Sequence, residues 1–151
     1  MNVYYLHQSP RTAAGWLDDK DATLCQSYFS HLVSNALQLY TGEKLSHLKR
    51  FDSKYWNIHQ EWVLDSIEHA LWCIDMYVAL RQRNNTTEDY LLERMLYHYA
   101  QLLPKTEWRN PPLVMPERYS TMDCSDVYKW RCYYASSSRL WRKVKRPFWA
   151  R

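Results

Sequence analysis

The sequence predicts a mostly α fold: one compact domain of about four main helices behind a short extended N-terminal segment. Three observations carry that prediction. Apolar residues recur at three- and four-residue steps in four separate stretches. No internal repeat and no alternation of apolar and polar residues points to a sheet. The 151 residues hold one hydrophobic core and little else. Only two glycines occur, Gly15 and Gly42, so Gly-rich phosphate loops of the Rossmann and P-loop kinds are excluded.

Residues 2–6 are β-branched and aromatic and read as a short strand or an extended arm. Ser9 before Pro10 reads as an N-cap and a first helical residue. A stripe of Leu24, Tyr28, Leu32, Ala36 and Tyr40 marks the first long helix, which stops near Gly42. Residues 43–57 have no clean period, carry Lys44, Lys49, Arg50 and Lys54, and read as a connecting loop. A second long helix is expected over 59–83, with Val63, Ile67, Leu71, Ile74 and Val78 inward, stopped by Asn84 and Asn85. Thr86 with Asp89 resembles the start of a third, striped by Leu91, Met95, Tyr99 and Leu102 and ended by Pro104. Pro111, Pro112 and Pro116 make the stretch 105–122 a loop. Asp123 then offers a cap to a last helix with Val127, Trp130, Tyr134 and Trp141 on one side.

Twenty basic residues against 16 acidic give a net charge of +4, but the charge is unevenly placed. The last 13 residues, RLWRKVKRPFWAR, hold six of the cations and no acid, leaving 14 basic against 16 acidic residues, a net −2, in the first 138. Trp141, Phe148 and Trp149 lie among those cations. Such a segment attracts phosphate oxygens and offers flat surfaces to bases, or it is a solvated terminus whose rings close the core. Apolar runs fall far short of a membrane span, and the opening residues lack a secretory leader pattern, so a soluble, cytoplasmic protein without membrane contact is expected. Cys25, Cys73, Cys124 and Cys132 form no C-x-x-C pair, and neither a zinc site nor a disulfide framework is expected.

Eight Trp and 13 Tyr are the oddest feature of the composition. Core packing takes most such rings, and the surplus suits a stacking site for a base or nucleotide. Lys20 sits among Asp18, Asp19 and Asp21, which favour its ammonium form; phosphate contact, ion pairing or a solvated face suits it better than Schiff-base chemistry. His59, Trp62, Ser66, His69 and Trp72 fall on one face of the expected second helix. The two histidines are roughly 15 Å apart along its axis and cannot share a metal. His59 reads either as a general acid or polar contact or as a structural hydrogen-bonder. Arg131 can stack on Tyr128 or Tyr134 and present its fork to a phosphate, or join a surface salt-bridge network with Asp123 and Asp126.

The opening MNVYYLHQSPRTAAGWLDDK, the middle HQEWVLDSIEHALW and the later MPERYSTMDCSDVYKWRCYY and RPFWAR together resemble a family of small phage and environmental-virus proteins. Its members are labelled pyrimidine-dimer DNA glycosylases, of the phage endonuclease V type. The resemblance spans the chain. It implies an all-α repair enzyme that bends damaged duplex, exposes a base and cleaves its glycosidic bond with an amine nucleophile aided by a carboxylate. The chain departs from the family pattern at His7 and Ser9, where the pattern has acids, and at Asp21, Leu24, Cys25, Tyr28 and His31, which replace His, Lys, Met, Glu and Gln. The pattern's catalytic Glu and second Lys thus have no counterpart, and Asn2 is not the small second residue that favours removal of Met1.

Residues and resemblance together predict a phage-type protein of an infected host cell that binds DNA or a nucleotide and has glycosylase-like ancestry; whether it is an enzyme is left open, and if it is, its chemistry is base excision on modified or damaged DNA. In that reading Lys20, Arg131, Arg142, Lys143 and Lys145 contact phosphate, and Trp62, Trp72, Tyr128 and Tyr134 form the stacking wall. His59 is the polar group nearest the base, and Glu61 or Asp65 stands in for the missing carboxylate. No metal and no cofactor are expected. The rival reading is a non-enzymatic accessory protein that sequesters a nucleotide or binds a host factor.

Overall fold

Short polar caps decide where the helices begin. In the computed structural model, which describes residues 2–43, 55–87, 89–137 and 139–150, Ser9 caps α1 (Pro10–Trp16) by accepting the Thr12 N–H. Asp18 caps α2 (Asp19–Thr41) by accepting the Asp21 N–H at 2.7 Å, so the first long helix starts five residues before the stripe that announced it. Gly42 ends it in the left-handed region (φ 75°), with its N–H on the Gln38 carbonyl. The basic residues Lys44, Lys49, Arg50 and Lys54 lie outside the described residues.

The expected second helix is two: α3 (Trp56–Asp65) and α4 (Ile67–Asn84), broken at Ser66, whose backbone is extended (φ −156°, ψ 143°). Ser66 ends one and caps the other, its hydroxyl accepting the Glu68 N–H. A break of this kind frees backbone groups that must find partners. The segment after Pro104 supplies them. Pro104 O accepts the Ile67 N–H, Ser66 Oγ donates to Thr106 O, and Thr106 Oγ1 donates to Asp65 O. Asn85, at φ 50°, stops α4 as expected.

In α5 (Tyr90–Ala100) the cap is Asp89 rather than Thr86, which instead donates its N–H to Arg81 O at the end of α4. The buried face is Leu96, Ala100 and the following Leu103, one position on from the expected stripe, and Leu91 is 72% exposed. Both stripes have helical spacing, so the packing of α5 on α4 and α2 chooses between them. Similarly, α2 buries Cys25, Phe29, Val33 and Leu37 beside Tyr28, Leu32 and Ala36, while Leu24 and Tyr40 are exposed.

A short α6 (Glu117–Ser120) interrupts the proline-rich loop. Ser125, not Asp123, caps α7 (Asp126–Ala135), and Trp141 lies beyond its end. A single 3-10 turn, Phe148–Ala150, closes the described chain. Among the described residues there is no strand; residues 2–6 form the extended arm, with Val3, Tyr5 and Leu6 buried in the one hydrophobic core. No described helix is long and apolar enough to cross a membrane. Among the described residues no disulfide joins the four cysteines, and Cys25 and Cys73 lie deep in the core.

Candidate functional site

The N-terminal arm turns at Tyr5, where the Leu6 N–H donates to Tyr4 O at 2.9 Å, and its two adjacent tyrosines join different groups of aromatic residues. Tyr4 meets Trp130 and Tyr134. Tyr5 meets Trp72 and Trp108, with ring centroids 5.7 and 6.0 Å away.

The Tyr5 cluster opens to solvent. Tyr5, Trp72 and Trp108, with Gln8 and Asn110, line a hollow of about 360 Å3. Its walls are held from behind. Trp72 Nε1 donates to Gln8 O at 2.8 Å, and Trp62 stands nearly edge-on to both Trp72 and Trp108. Beneath them His69, fully buried, stacks on Trp62 with a centroid separation of 4.6 Å. Its Nδ1 bonds to Trp62 O at 2.7 Å, and its Nε2 accepts the Arg109 N–H at 3.0 Å. That pattern needs a neutral ring with its proton on Nδ1, and burial lowers the His69 pKa in the same direction. The loop carrying Trp108 is thus stitched to the α3–α4 break by His69 and by the Trp62 Nε1 bond to Arg109 O.

Two carboxamides sit at the mouth. Asn110 is locked, accepting from Trp108 Nε1 at 3.0 Å and donating to Asp126 Oδ2 at 2.9 Å. The exposed side-chain amide of Gln8 has no protein partner among the described residues. Asn110 also borders a second depression, of about 250 Å3, lined by Ile58, Glu61, Trp62, Asp65, Arg109 and Pro112. There Arg109 is paired with Asp65.

The Tyr4 cluster is closed and ionic. Tyr134, fully buried, accepts the Asp18 N–H on its hydroxyl at 2.7 Å, and the Arg139 guanidinium lies 4.0 Å from its ring centre. Arg139 pairs with Asp21 and lies 4.0 Å from Asp18. Burial raises the Asp21 pKa, the like charge of Asp18 adds to it, and Arg139 opposes both. Asp19 anchors the C-terminal segment: its carboxylate accepts the Arg142 and Lys143 N–H groups at 2.8 and 3.1 Å and a bond from Arg83 at 3.1 Å. Burial acts against ionisation of Asp19, and these bonds overcome it, leaving its pKa lowered.

The structure therefore splits the residues that the sequence grouped. Trp62 and Trp72 belong to the open cluster, Tyr134 to the closed one, and Tyr128 stands apart on the surface, 51% exposed. Arg131 stacks on neither Tyr128 nor Tyr134. Its Nε donates to Leu6 O at 3.0 Å, and its guanidinium lies 4.8 Å from the Trp16 ring centre and 5.9 Å from that of Trp149. Lys20 is exposed on the first turn of α2, beside the Asp19 anchor, so Lys20 and Arg131 border the C-terminal segment at different points. Arg142, Lys143 and Lys145 are exposed.

His59 does not share a cleft with Glu61 and Asp65. Two residues along a helix turn a side chain through about 200°, so Glu61 and Asp65 face the outer depression while His59 faces α2. His59 is fully buried, its Nδ1 2.6 Å from the Tyr28 hydroxyl, and burial lowers its pKa to about 4. A general acid needs access to its substrate, and His59 has none. Among the described residues no group of three or more His, Cys, Asp or Glu side chains is placed to hold a metal ion.

Sequence reasoning missed Tyr5, Gln8, Trp108 and Asn110. The signal was faint: a Trp and an Asn two residues apart in a proline-rich loop, with nothing to say which helix break they dock on. Comparison of the chain with protein-family models, with curated proteins and with solved structures finds no match.

Proposed function

We propose that the protein binds a nucleobase, carried by a nucleotide or a nucleic acid, in the hollow formed by Tyr5, Trp72 and Trp108. The observation that carries this reading is the hollow itself. Three aromatic walls, a locked carboxamide and a free one at the mouth, and a volume of about 360 Å3 match the size and chemistry of a heteroaromatic ring with polar edges. The exposed cations Arg142, Lys143 and Lys145 on the anchored C-terminal segment suit the phosphates of such a ligand. The sequence resemblance to pyrimidine-dimer DNA glycosylases points towards the same ligand class.

Titration of intrinsic tryptophan fluorescence with nucleosides tests the proposal. Saturable quenching is expected in the native chain. Stacking of one base contributes about 1–3 kcal/mol, so Trp108→Ala weakens binding by roughly tenfold or more. Quenching that never saturates, or is the same in Trp108→Ala, contradicts it.

Base excision is the second reading, and one observation favours it. Glu61 lines the depression that shares Asn110 with the hollow and, unlike Asp65, has no ion-pair partner among the described residues. Release of an abasic product from damaged DNA, abolished in Glu61→Gln, would establish that chemistry. A protein that leaves the base attached is the binding form of the same site.

A further inference from the structure

The cations around the hollow are unequally available on its two flanks. On the Asn110 flank they are already engaged: Arg109 pairs with Asp65, and Lys129 with Asp126 at 3.5 Å, while Glu61 adds an unpaired carboxylate. A phosphate passing that way meets neutral pairs and a negative charge.

The Gln8 flank is different. Next to Gln8, His7 touches Trp16 at 5.1 Å between centroids, and Trp16 touches Phe148 at 6.2 Å, which is 68% exposed. Arg131 lies over Trp16 and spends only its Nε, on Leu6 O; its two terminal nitrogens have no protein partner among the described residues. Helix α7 spans the two flanks, its first turn reaching Asn110 through Asp126 and its Arg131, about 7.5 Å further along, reaching the arm at Leu6. Beyond Arg131 come Arg142, Lys143, Lys145 and Arg146, all exposed and without an ion pair among the described residues. The backbone below them is fixed by Asp19, and Trp141 Nε1 donates to Trp16 O at 3.1 Å. These side chains are therefore presented from a held segment.

We infer that the ligand is the end of an unpaired polynucleotide strand: its terminal base enters the hollow, and the chain leaves on one side only, across Arg131 to the basic C-terminal segment. This rests on the nucleobase reading of the hollow. A base in the middle of a strand, or one extruded from a duplex, carries phosphates away in both directions and brings one set against Glu61 and the engaged pairs. A terminal base does not. A free mononucleotide leaves the cations beyond Arg131 unused.

The test compares four probes at several salt concentrations: a nucleoside, a linear single strand of about ten nucleotides, a closed circular single strand, and a blunt duplex. A fluorescent adenine analogue is placed in the linear strand either at an end or at its centre. The linear strand is expected to bind at least about tenfold tighter than the nucleoside and to lose affinity as salt rises, with a slope reduced by roughly 0.7 for each cation removed. Arg142→Glu with Lys143→Glu, both exposed side chains, and Arg131→Gln should each flatten that slope. The terminal analogue is quenched, the central one is not, and the circle binds weakly. Equal binding of circle and linear strand, or a tighter duplex, overturns the strand end while leaving the hollow's ligand class standing. So does binding to anionic vesicles in place of the linear strand, with nucleoside binding intact. Failure of the nucleoside itself to bind removes the hollow's function and this inference with it.

Discussion

Two aromatic clusters built from the same residue types, reached by adjacent tyrosines of one N-terminal arm, have different fates. Around Tyr4, rings close over Asp18, Asp21 and Arg139, and the charges are spent on each other. Around Tyr5, the polar partners are backbone carbonyls, a neutral imidazole and carboxamides, and the cluster ends in an open hollow. Aromatic abundance therefore does not mark a site. The Tyr5 cluster differs in that its indole N–H groups are satisfied by protein partners, while the half-buried Trp108 and the exposed Gln8 amide stand at the mouth of the hollow.

That contrast is broken most severely by Arg139→Ala. It leaves two largely buried carboxylates without their cation, and we expect a loss of about 3 kcal/mol or more in urea denaturation. Nucleoside binding by the molecules still folded should be unchanged, because the hollow shares no residue with that ionic group.

Acid sharpens the contrast, because His69 beneath the open cluster and Asp21 in the closed one titrate in opposite senses, while His59, against α2, adds to the effect of acid outside both. The folded-state pKa values of His69 and His59 are lowered, so their contribution is full above the ordinary imidazole value of 6.5 and is lost as pH falls below it, for His59 down to about 4. Asp21 has a raised folded-state pKa, so its contribution is present below the ordinary 3.8 and is lost as pH rises through the folded value; going from pH 7 to 5 takes nothing from it. We expect that change to cost about 2 kcal/mol through His59. Protection of the Arg109 amide, measured by hydrogen exchange corrected for intrinsic rate, should fall more than that of the Asp18 amide, which bonds to Tyr134.

The smallest expected effect is Tyr134→Phe, which orphans the Asp18 N–H for about 1 kcal/mol by urea denaturation. A loss of nucleoside binding in that variant would mean that the two clusters are one unit.

Local chemistry made much of this fold legible. Ser9 and Pro10, Gly42 and Asn85 act through caps and backbone preference that no distant contact alters. The break at Ser66 was not legible, because Val63, Ile67, Leu71 and Ile74 keep a helical period straight across it. It is stabilised by carbonyl and hydroxyl groups forty residues away, at Pro104 and Thr106. Trp62 and Trp72 could be placed near a site from their spacing. Trp108 and Asn110 could not, because their position depends on His69 holding the Arg109 amide. Tyr134 and Trp62 fall in different groups because Tyr134 packs on Tyr4 while Trp62 packs on Trp72, the partner of Tyr5, a division that two adjacent tyrosines do not announce.

The central claim, that a flat ring seats against Trp72 and Trp108 and nowhere else, is read most directly from the indole N–H resonances of the eight tryptophans during a nucleoside titration. Large shifts are expected for Trp72 and Trp108, a smaller one for Trp62, and none for Trp130, Trp141 and Trp149. Shifts centred on the Tyr4 cluster, or spread evenly over all eight, would contradict it.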